Sequence, residues 1–316
     1  MRRTNLAGLD VSAQGLGCMG MSEWYGPTDW DASITTIRRA FNLGVTFFDT
    51  ADIYGAGHNE VLVGRAVAGF RRDVQIATKF GIDRSAGDGR RVHRGEAAYV
   101  KRSCEASLLR LGVDAVDLFY LHRPPETATI EETVAAMGEL VAEGKVRHLG
   151  LSEVDSDLLR RAHAVHPIAA VQTEYSLWCR TPESQLLATM CELGVGLVPY
   201  APLGRGFLAG SVAKGSLVAG DIRLSRPAAQ SWRAIPSIAA VVAAVATAKG
   251  VTAAQVALAW VHAQADRLGV PVVPIPGTKR VTWLEQNVQA LDVRLNDDEL
   301  AALAAIPDRG VAARQG

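Results

Sequence analysis

Val45-Thr46-Phe47-Phe48-Asp49-Thr50-Ala51-Asp52-Ile53-Tyr54 is the stretch that decides how the chain is read. An apolar run of strand character ends in a carboxylate, and a phenol follows five positions later in a loop. A carboxylate just past such a run lies at the lip of a core, where its charge must be paired or neutralised. By itself Asp49 could be a strand-end residue capping the next helix. The segments on either side decide between the two.

Upstream, a helical pattern covers Asp31 to Asn42 and leads through Gly44 into the strand. Downstream, a helix over Glu60–Ala68 precedes the strand Val74–Ala77, which ends at Thr78-Lys79. The helix Glu96–Leu111 stops at Gly112, and the strand Ala115–Leu121 then ends at His122. The same alternation continues through the strands Val146–Gly150, Ala169–Thr173, Val195–Val198 and Val270–Ile275, with helices between them. Counting Gln14–Gly17 as the first, eight strands alternate with helices and no composition break marks a linker. Strict alternation predicts a parallel sheet covered on both faces, and eight units predict closure into a (β/α)8 TIM barrel. A hairpin (Thr4–Leu6 with Asp10–Ser12) precedes the barrel, and helices from Val281 and over Asp297–Ala305 follow it. One barrel domain over residues 1–316 is therefore expected.

Two features resist the alternation. Gly15-Leu16-Gly17-Cys18-Met19-Gly20 is a literal GxGxxG, but Ser22 to Trp30, containing Gly26-Pro27, intervenes before any helix can start. A dinucleotide fingerprint opens its helix directly, so a doubly wound fold is disfavoured. The segment Gly204 to Pro236 is rich in Gly, Ala, Ser and Arg. A stretch of this length without periodicity predicts a lid or a binding loop.

Composition narrows the class. Of 316 residues, 48% are hydrophobic, which supports a large core; Lys plus Arg equals Asp plus Glu at 33 each, so no net field favours nucleic acid. The four cysteines show neither CxxC nor metal-ligand spacing, which fits reduced thiols. No apolar h-region follows Arg2-Arg3, and no window reaches the ~18 apolar residues of a membrane span. A cytoplasmic protein is expected.

In such a barrel the C-terminal strand ends share one rim, where active sites sit. Asp49, Lys79 and His122 follow predicted strands and Tyr54 lies on the adjacent loop, so all four can converge. Singly, each has an ordinary explanation: a solvated lysine, a hydrogen-bonded packing histidine, a half-buried tyrosine. Together at consecutive strand ends they point to a site.

With Asp49-Thr50-Ala51-Asp52-Ile53-Tyr54, Thr78-Lys79, Leu121-His122, Gly17–Ser22 (GCMGMS) and Pro274–Lys279 (PIPGTK), the whole chain resembles the aldo-keto reductase superfamily. It is most similar to the bacterial and plant branch carrying the last two motifs. The resemblance implies NADPH-dependent (NADP+-forming) reduction of a small-molecule aldehyde or ketone to an alcohol. It makes Tyr54 the general acid, Lys79 the charge that lowers the phenol's pKa from its usual ~10, Asp49 the partner of that lysine, and His122 the group orienting the carbonyl. Ser152 and Gln172 resemble residues that bind a nicotinamide carboxamide, and Tyr200, in Tyr200-Ala201-Pro202-Leu203, resembles the aromatic stacked on its ring. Gly204-Arg205-Gly206 would cover the pyrophosphate. Gly277, Thr278, Lys279 and Arg280 match a loop holding the 2′-phosphate at a helix start, and Asn287 matches an adenine contact.

There are departures. Glu153 stands where many relatives have Asn, Trp283 where Arg or Tyr is common, and Gln286 where Glu is common. Arg123-Pro124-Pro125 replaces with a doubled proline a position where relatives often have an acidic residue or Trp, which stiffens the loop beside His122. Trp24, Tyr25 and Arg123 are expected to wall the substrate pocket. Two other readings use the same residues. A cofactor-binding regulatory subunit on this fold would share the tetrad. A metal-dependent hydrolase could use Asp49, Asp52, His58 and His122, but a divalent site does not suit Lys79 beside it; no metal is expected.

Overall fold

A computed structural model describes residues 1–85, 87, 90–184, 186–210, 212, 215, 217–218, 221–224 and 235–308, with the backbone alone for 235–237. Residues 225–234 of the long segment from Gly204 to Pro236 lie outside the described residues. The chain starts with an antiparallel hairpin, β1 (Arg3–Leu6) and β2 (Leu9–Ser12), in the register Leu6 opposite Leu9. The barrel follows: β3 (Leu16–Gly17), α1 (Trp30–Asn42), β4 (Phe47–Asp49), α2 (His58–Val67) and β5 (Gln75–Phe80). A small antiparallel pair, β6 (Ile82–Asp83) with β7 (Val92–His93), leads to α3 (Ala97–Leu111), β8 (Val116–Leu121), α4 (Ile130–Ala142) and β9 (Val146–Ser152). Then come α5 (Ser156–Val165), β10 (Ile168–Glu174), α6 (Leu186–Leu193) and β11 (Gly196–Tyr200). Four helices complete the chain: α7 (Ile235–Lys249), α8 (Ala253–Leu268), α9 (Val281–Gln289) and α10 (Asp297–Ala304).

Seven strands pair in parallel in the spatial order β3-β4-β5-β8-β9-β10-β11. The predicted eighth strand, Val270–Ile275, is not a regular strand. Pro271 and Pro274 have no N–H to give a ladder, so pairing survives only at the intervening residues. Val273 and Ile275 donate to the carbonyls of Leu197 and Pro199 at 2.9 and 3.0 Å, Leu197 donates to Pro271 O at 2.8 Å, and Gly15 donates to Pro274 O at 2.9 Å. Bridges between Leu197 and Val272 and between Gly17 and Gly277 join the two edges. The segment thus closes the barrel.

The same closure accounts for the GxGxxG stretch. A Cβ on Gly15 would stand 2.7 Å from the Phe47 ring, and one on Gly17 would stand 2.9 Å from the Ile275 carbonyl oxygen. These glycines let β3 approach its neighbours, which is a packing reason rather than phosphate recognition.

Inside the barrel, Phe47, Ala77, Leu118, Tyr120, Ala170, Val198, Val273 and Ile275 form one cluster with Leu6, Leu9 and Val11 of the hairpin. Leu6 packs against Gly196 at the start of β11, so the hairpin plugs the end of the barrel where strands begin and leaves the opposite end open. Outside, apolar residues of the helices cover the sheet in a second, larger cluster. Helix starts carry the expected caps: Asp29, Thr129 and Asp155 accept from backbone N–H groups, and Thr252 with Gln255 and Asn296 with Glu299 form capping boxes. Among the described residues no single helix is long and apolar enough to cross a membrane.

Candidate active site

Asp49 is the last residue of β4, and His122 follows β8 directly. Lys79 was expected just past its strand. It instead lies inside β5, one residue before the end, paired with Tyr120 of β8. The pleat turns its side chain into the barrel, where it is completely buried. Its ammonium donates to Asp49 Oδ1 at 2.5 Å, to Thr50 O at 2.8 Å and to Tyr54 Oη at 3.2 Å, which uses all three protons.

The loop that carries Tyr54 is fixed from beneath. Thr50 N and Asp52 N donate to the carbonyls of Ala77 and Lys79 at 2.9 and 3.0 Å, extending the ladder past the strand end. Thr50 Oγ1 donates to Asn59 Oδ1 at 2.6 Å, and Asn59 Nδ2 donates to Cys18 O and Ser22 Oγ. The Tyr54 ring meets those of His122 and Trp24 edge-on, each at 6.0 Å between centroids. Backbone pairing anchors His122, whose N–H donates to Phe80 O at 2.8 Å. Its buried Nδ1 has no partner among the described residues.

The charges follow from burial and from one another. Burial alone would lower the Lys79 pKa, but the Asp49 carboxylate and Tyr54 oxygen outweigh it and hold it above the usual value. Burial pushes Asp49 up, opposed by Lys79 and by Gln172, whose Nε2 donates to Asp49 Oδ2 at 2.8 Å. Tyr54 differs from expectation: Lys79 does pull its pKa down, but burial is the larger effect and the phenol stays above its ordinary value. Burial and then Lys79 keep His122 well below the normal histidine range, so it is neutral.

Of the residues assigned from the sequence to catalysis, cofactor or substrate in the reductase reading, all but Lys79 and Gly204 line a cleft of about 650 Å3 at the open end of the barrel; Asp52, His58 and Glu153 do not. Lys79 lies beneath the cleft floor, and buried Gly204 packs behind it against Leu208. Trp24, edge-on to Tyr54, lines the cleft with Tyr25, Arg123, Ser152 and Gln172; Tyr200, Pro202, Leu203 and Gly206 form the wall beyond β11. Gly277, Thr278, Lys279 and Arg280, with Gln286 and Asn287 of α9, form the far end.

Lys279 was expected to be free for a phosphate. Its ammonium instead donates to the carbonyls of Tyr25, Gly26 and Pro27, at 2.9, 3.3 and 2.5 Å, and ties that loop across the cleft. Arg280 has its guanidinium 4.5 Å from the Trp283 ring centroid. Glu153 does not line the cleft. It sits at φ +56°, a conformation that suits the Asn of relatives, and accepts from Thr173 Oγ1 and Glu174 N.

The sequence did not single out two basic side chains that also line the cleft, Arg91 and Arg223; Arg205, of the Gly204-Arg205-Gly206 motif, lines it too. Arg205 forms a buried pair with Glu174 at 2.8 Å, and Arg223 pairs with Asp221 and donates to Arg205 O. Arg223 also lies 5.2 Å from the Tyr25 ring centroid, and Ile222 N donates to Trp24 O, so the Ile222–Leu224 turn meets the Trp24–Tyr25 loop. Arg223 falls in a segment lacking periodicity and Arg91 in the short loop ending Arg90-Arg91, so only the density of arginines could have drawn attention to them.

A family model of the aldo/keto reductases matches residues 14–308. Among solved structures, the glycerol dehydrogenase of Gluconobacter oxydans is 25% identical with a TM-score of 0.84, covering 96% of this chain and 94% of that one. An aldo-keto reductase of Klebsiella pneumoniae in complex with NADPH is 28% identical with a TM-score of 0.77 over the full length of both chains. A thermostable aldo-keto reductase in complex with the inhibitor epalrestat is 29% identical with a TM-score of 0.78, covering 97% of this chain and all of that one.

Proposed function

The chain belongs to the aldo/keto reductase family, and on that premise we propose that this oxidoreductase reduces an aldehyde or ketone to an alcohol with NADPH. The observation that carries the proposal is the buried ammonium of Lys79 held between Asp49 and the Tyr54 hydroxyl, with that hydroxyl on the floor of a cleft. A nicotinamide dinucleotide suits the residues that line this cleft. An aromatic ring (Tyr200), a hydroxyl (Ser152) and an amide (Gln172) line the same cleft as Tyr54, while the loop before α9 brings a guanidinium and a helix start suited to phosphate. The NADPH complex of the Klebsiella pneumoniae relative supports the same choice of cofactor.

The bound dinucleotide would supply hydride to the carbonyl carbon. Tyr54 would give its proton to the carbonyl oxygen. Because burial holds the phenol protonated through neutral pH, the donor is ready before substrate arrives. Lys79, 3.2 Å away, would then stabilise the phenolate left behind, at low dielectric and without any rearrangement. Asp49 would balance that ammonium and hold it in line. His122, kept neutral, can donate one ring N–H to the same oxygen without adding a second positive charge beside Lys79. Gln172, bonded to Asp49, would link the cofactor wall to this pair.

The test is loss of NADPH absorbance with 4-nitrobenzaldehyde and recovery of one 4-nitrobenzyl alcohol per NADPH consumed. Saturable NADPH binding without turnover across a panel of aldehydes and ketones would overturn the reductase reading in favour of a cofactor-binding regulatory role.

A further inference from the structure

We infer that the carbonyl substrate carries a carboxylate, held by Arg91 and Arg123. The inference rests on the reductase reading and names the substrate class of that same site. Trp24, edge-on to Tyr54, forms the wall of the cleft beside the proposed proton donor. The guanidiniums of Arg84 and Arg91 lie over its ring, 5.1 and 5.9 Å from the centroid. Arg84 is paired with Glu23 at 2.8 Å, and Arg91 lines the cleft without a carboxylate partner among the described residues.

Arg123 lines the cleft next to His122. Its Nη1 donates to His122 O at 2.6 Å and to Ser152 Oγ at 3.3 Å, and it too has no carboxylate partner among the described residues. Among the described residues the one acid lining the cleft, Asp49, is already committed to Lys79. Two guanidiniums therefore face this end with no carboxylate paired to either among the described residues; Glu23, which acts on Arg91, is bonded to Arg84. Burial, and after it the positive charge of Arg84, pulls Arg91 below the ordinary arginine range; Glu23 opposes them and Arg123 adds to them.

Cofactor phosphates do not account for this surplus. Arg123 bonds Ser152 Oγ at the end of β9 and the carbonyl of His122, whereas the residues matched to the phosphate lie on the separate loop before α9. A planar carboxylate beside the carbonyl would accept forked hydrogen bonds from a guanidinium and relieve the repulsion between the two arginines. Trp24 would meanwhile pack on the apolar body between the two groups.

The experiment compares kcat/KM for 4-carboxybenzaldehyde with that for its neutral isostere 4-formylbenzamide, using NADPH and the full chain. Wild type is expected to prefer the acid by at least about tenfold at low ionic strength, and less in high salt. Arg91→Met and Arg123→Met should each move the ratio toward one, and Arg91→Lys should restore part of it. A wild-type ratio near one, or a ratio unmoved in both methionine variants, overturns the inference while leaving the reductase reading in place. If neither aldehyde consumes NADPH while 4-nitrobenzaldehyde does, this inference is overturned; if no carbonyl of the panel is reduced, the reductase reading falls and this inference falls with it.

Discussion

Three oxygens enclose the Lys79 ammonium, and no proton on it is left for solvent. Replacing it with methionine leaves the Asp49 carboxylate buried without its counter-ion. Breaking such a pair costs about 3–5 kcal/mol, although Asp49 can reduce this by taking up a proton. Lys79→Met should therefore lower the urea midpoint at pH 7 and slow aldehyde reduction by about 10²–10⁴-fold, the usual range for losing proton-transfer assistance. Asp52 is a half-buried carboxyl with a buried oxygen, and the sequence assigned it no role in the reductase reading. Its Oδ1 has no partner among the described residues, and burial, then repulsion from Glu60, pushes its pKa to about 8. A carboxyl that holds its proton more tightly when folded stabilises fully below about pH 4, and the benefit is lost as pH rises toward about 8. Asp52→Asn should consequently gain stability relative to wild type as pH is raised from about 5 to 9, by a few kcal/mol at most. Urea titrations across that range would check it, and a constant difference would contradict it.

At the scale of elements, the closing segment of the barrel shows where pattern and backbone chemistry part. Val270 to Ile275 has the apolar character of a strand, and the sequence predicted one there; its two prolines leave a set of isolated bonds to β11 and to Gly15. Gly17 is needed for that closure, so Gly17→Ala should cost about 1–3 kcal/mol by overpacking against Ile275. Thermal unfolding would measure the loss. The loop of Tyr25 to Pro27 depends on Lys279, so a substitution there acts on both ends of the cleft. Arg280→Ala should weaken NADPH by about tenfold more than NADH, as expected for one lost charge-assisted contact to the 2′-phosphate. Lys279→Ala should in addition raise KM for the carbonyl, because the Tyr25 wall is released. Fluorescence titration of both nucleotides, with steady-state kinetics, would separate the two effects. The helix α7 was not legible for a different reason: Ile238 to Ala248 is apolar nearly throughout and shows no distinct face. The β6–β7 pair, two residues in each strand, is too short to carry alternation.

For the whole molecule, alternating strands and helices were enough to indicate the barrel. Because parallel strands put their C-terminal ends on one rim, residues 73 positions apart in sequence, Asp49 and His122, could be assigned to one place before any coordinates were known. The side-chain network was not legible, since pairings such as Gln172 with Asp49, Lys279 with the Tyr25 loop or Arg205 with Glu174 depend on distances that periodicity does not carry. The balance of effects on Tyr54 was also hidden. A neighbouring ammonium can be read from a motif, whereas the depth of burial that outweighs it cannot. The most direct measurement is the single-turnover rate of NADPH oxidation by Tyr54→Phe with 4-nitrobenzaldehyde, beside its NADPH affinity. The expected result is a fall of about 10²–10⁴-fold in rate with the Kd for NADPH nearly unchanged, since the substitution removes the proton and leaves the cofactor wall intact. A variant that turns over at the wild-type rate would show that the proton comes from elsewhere.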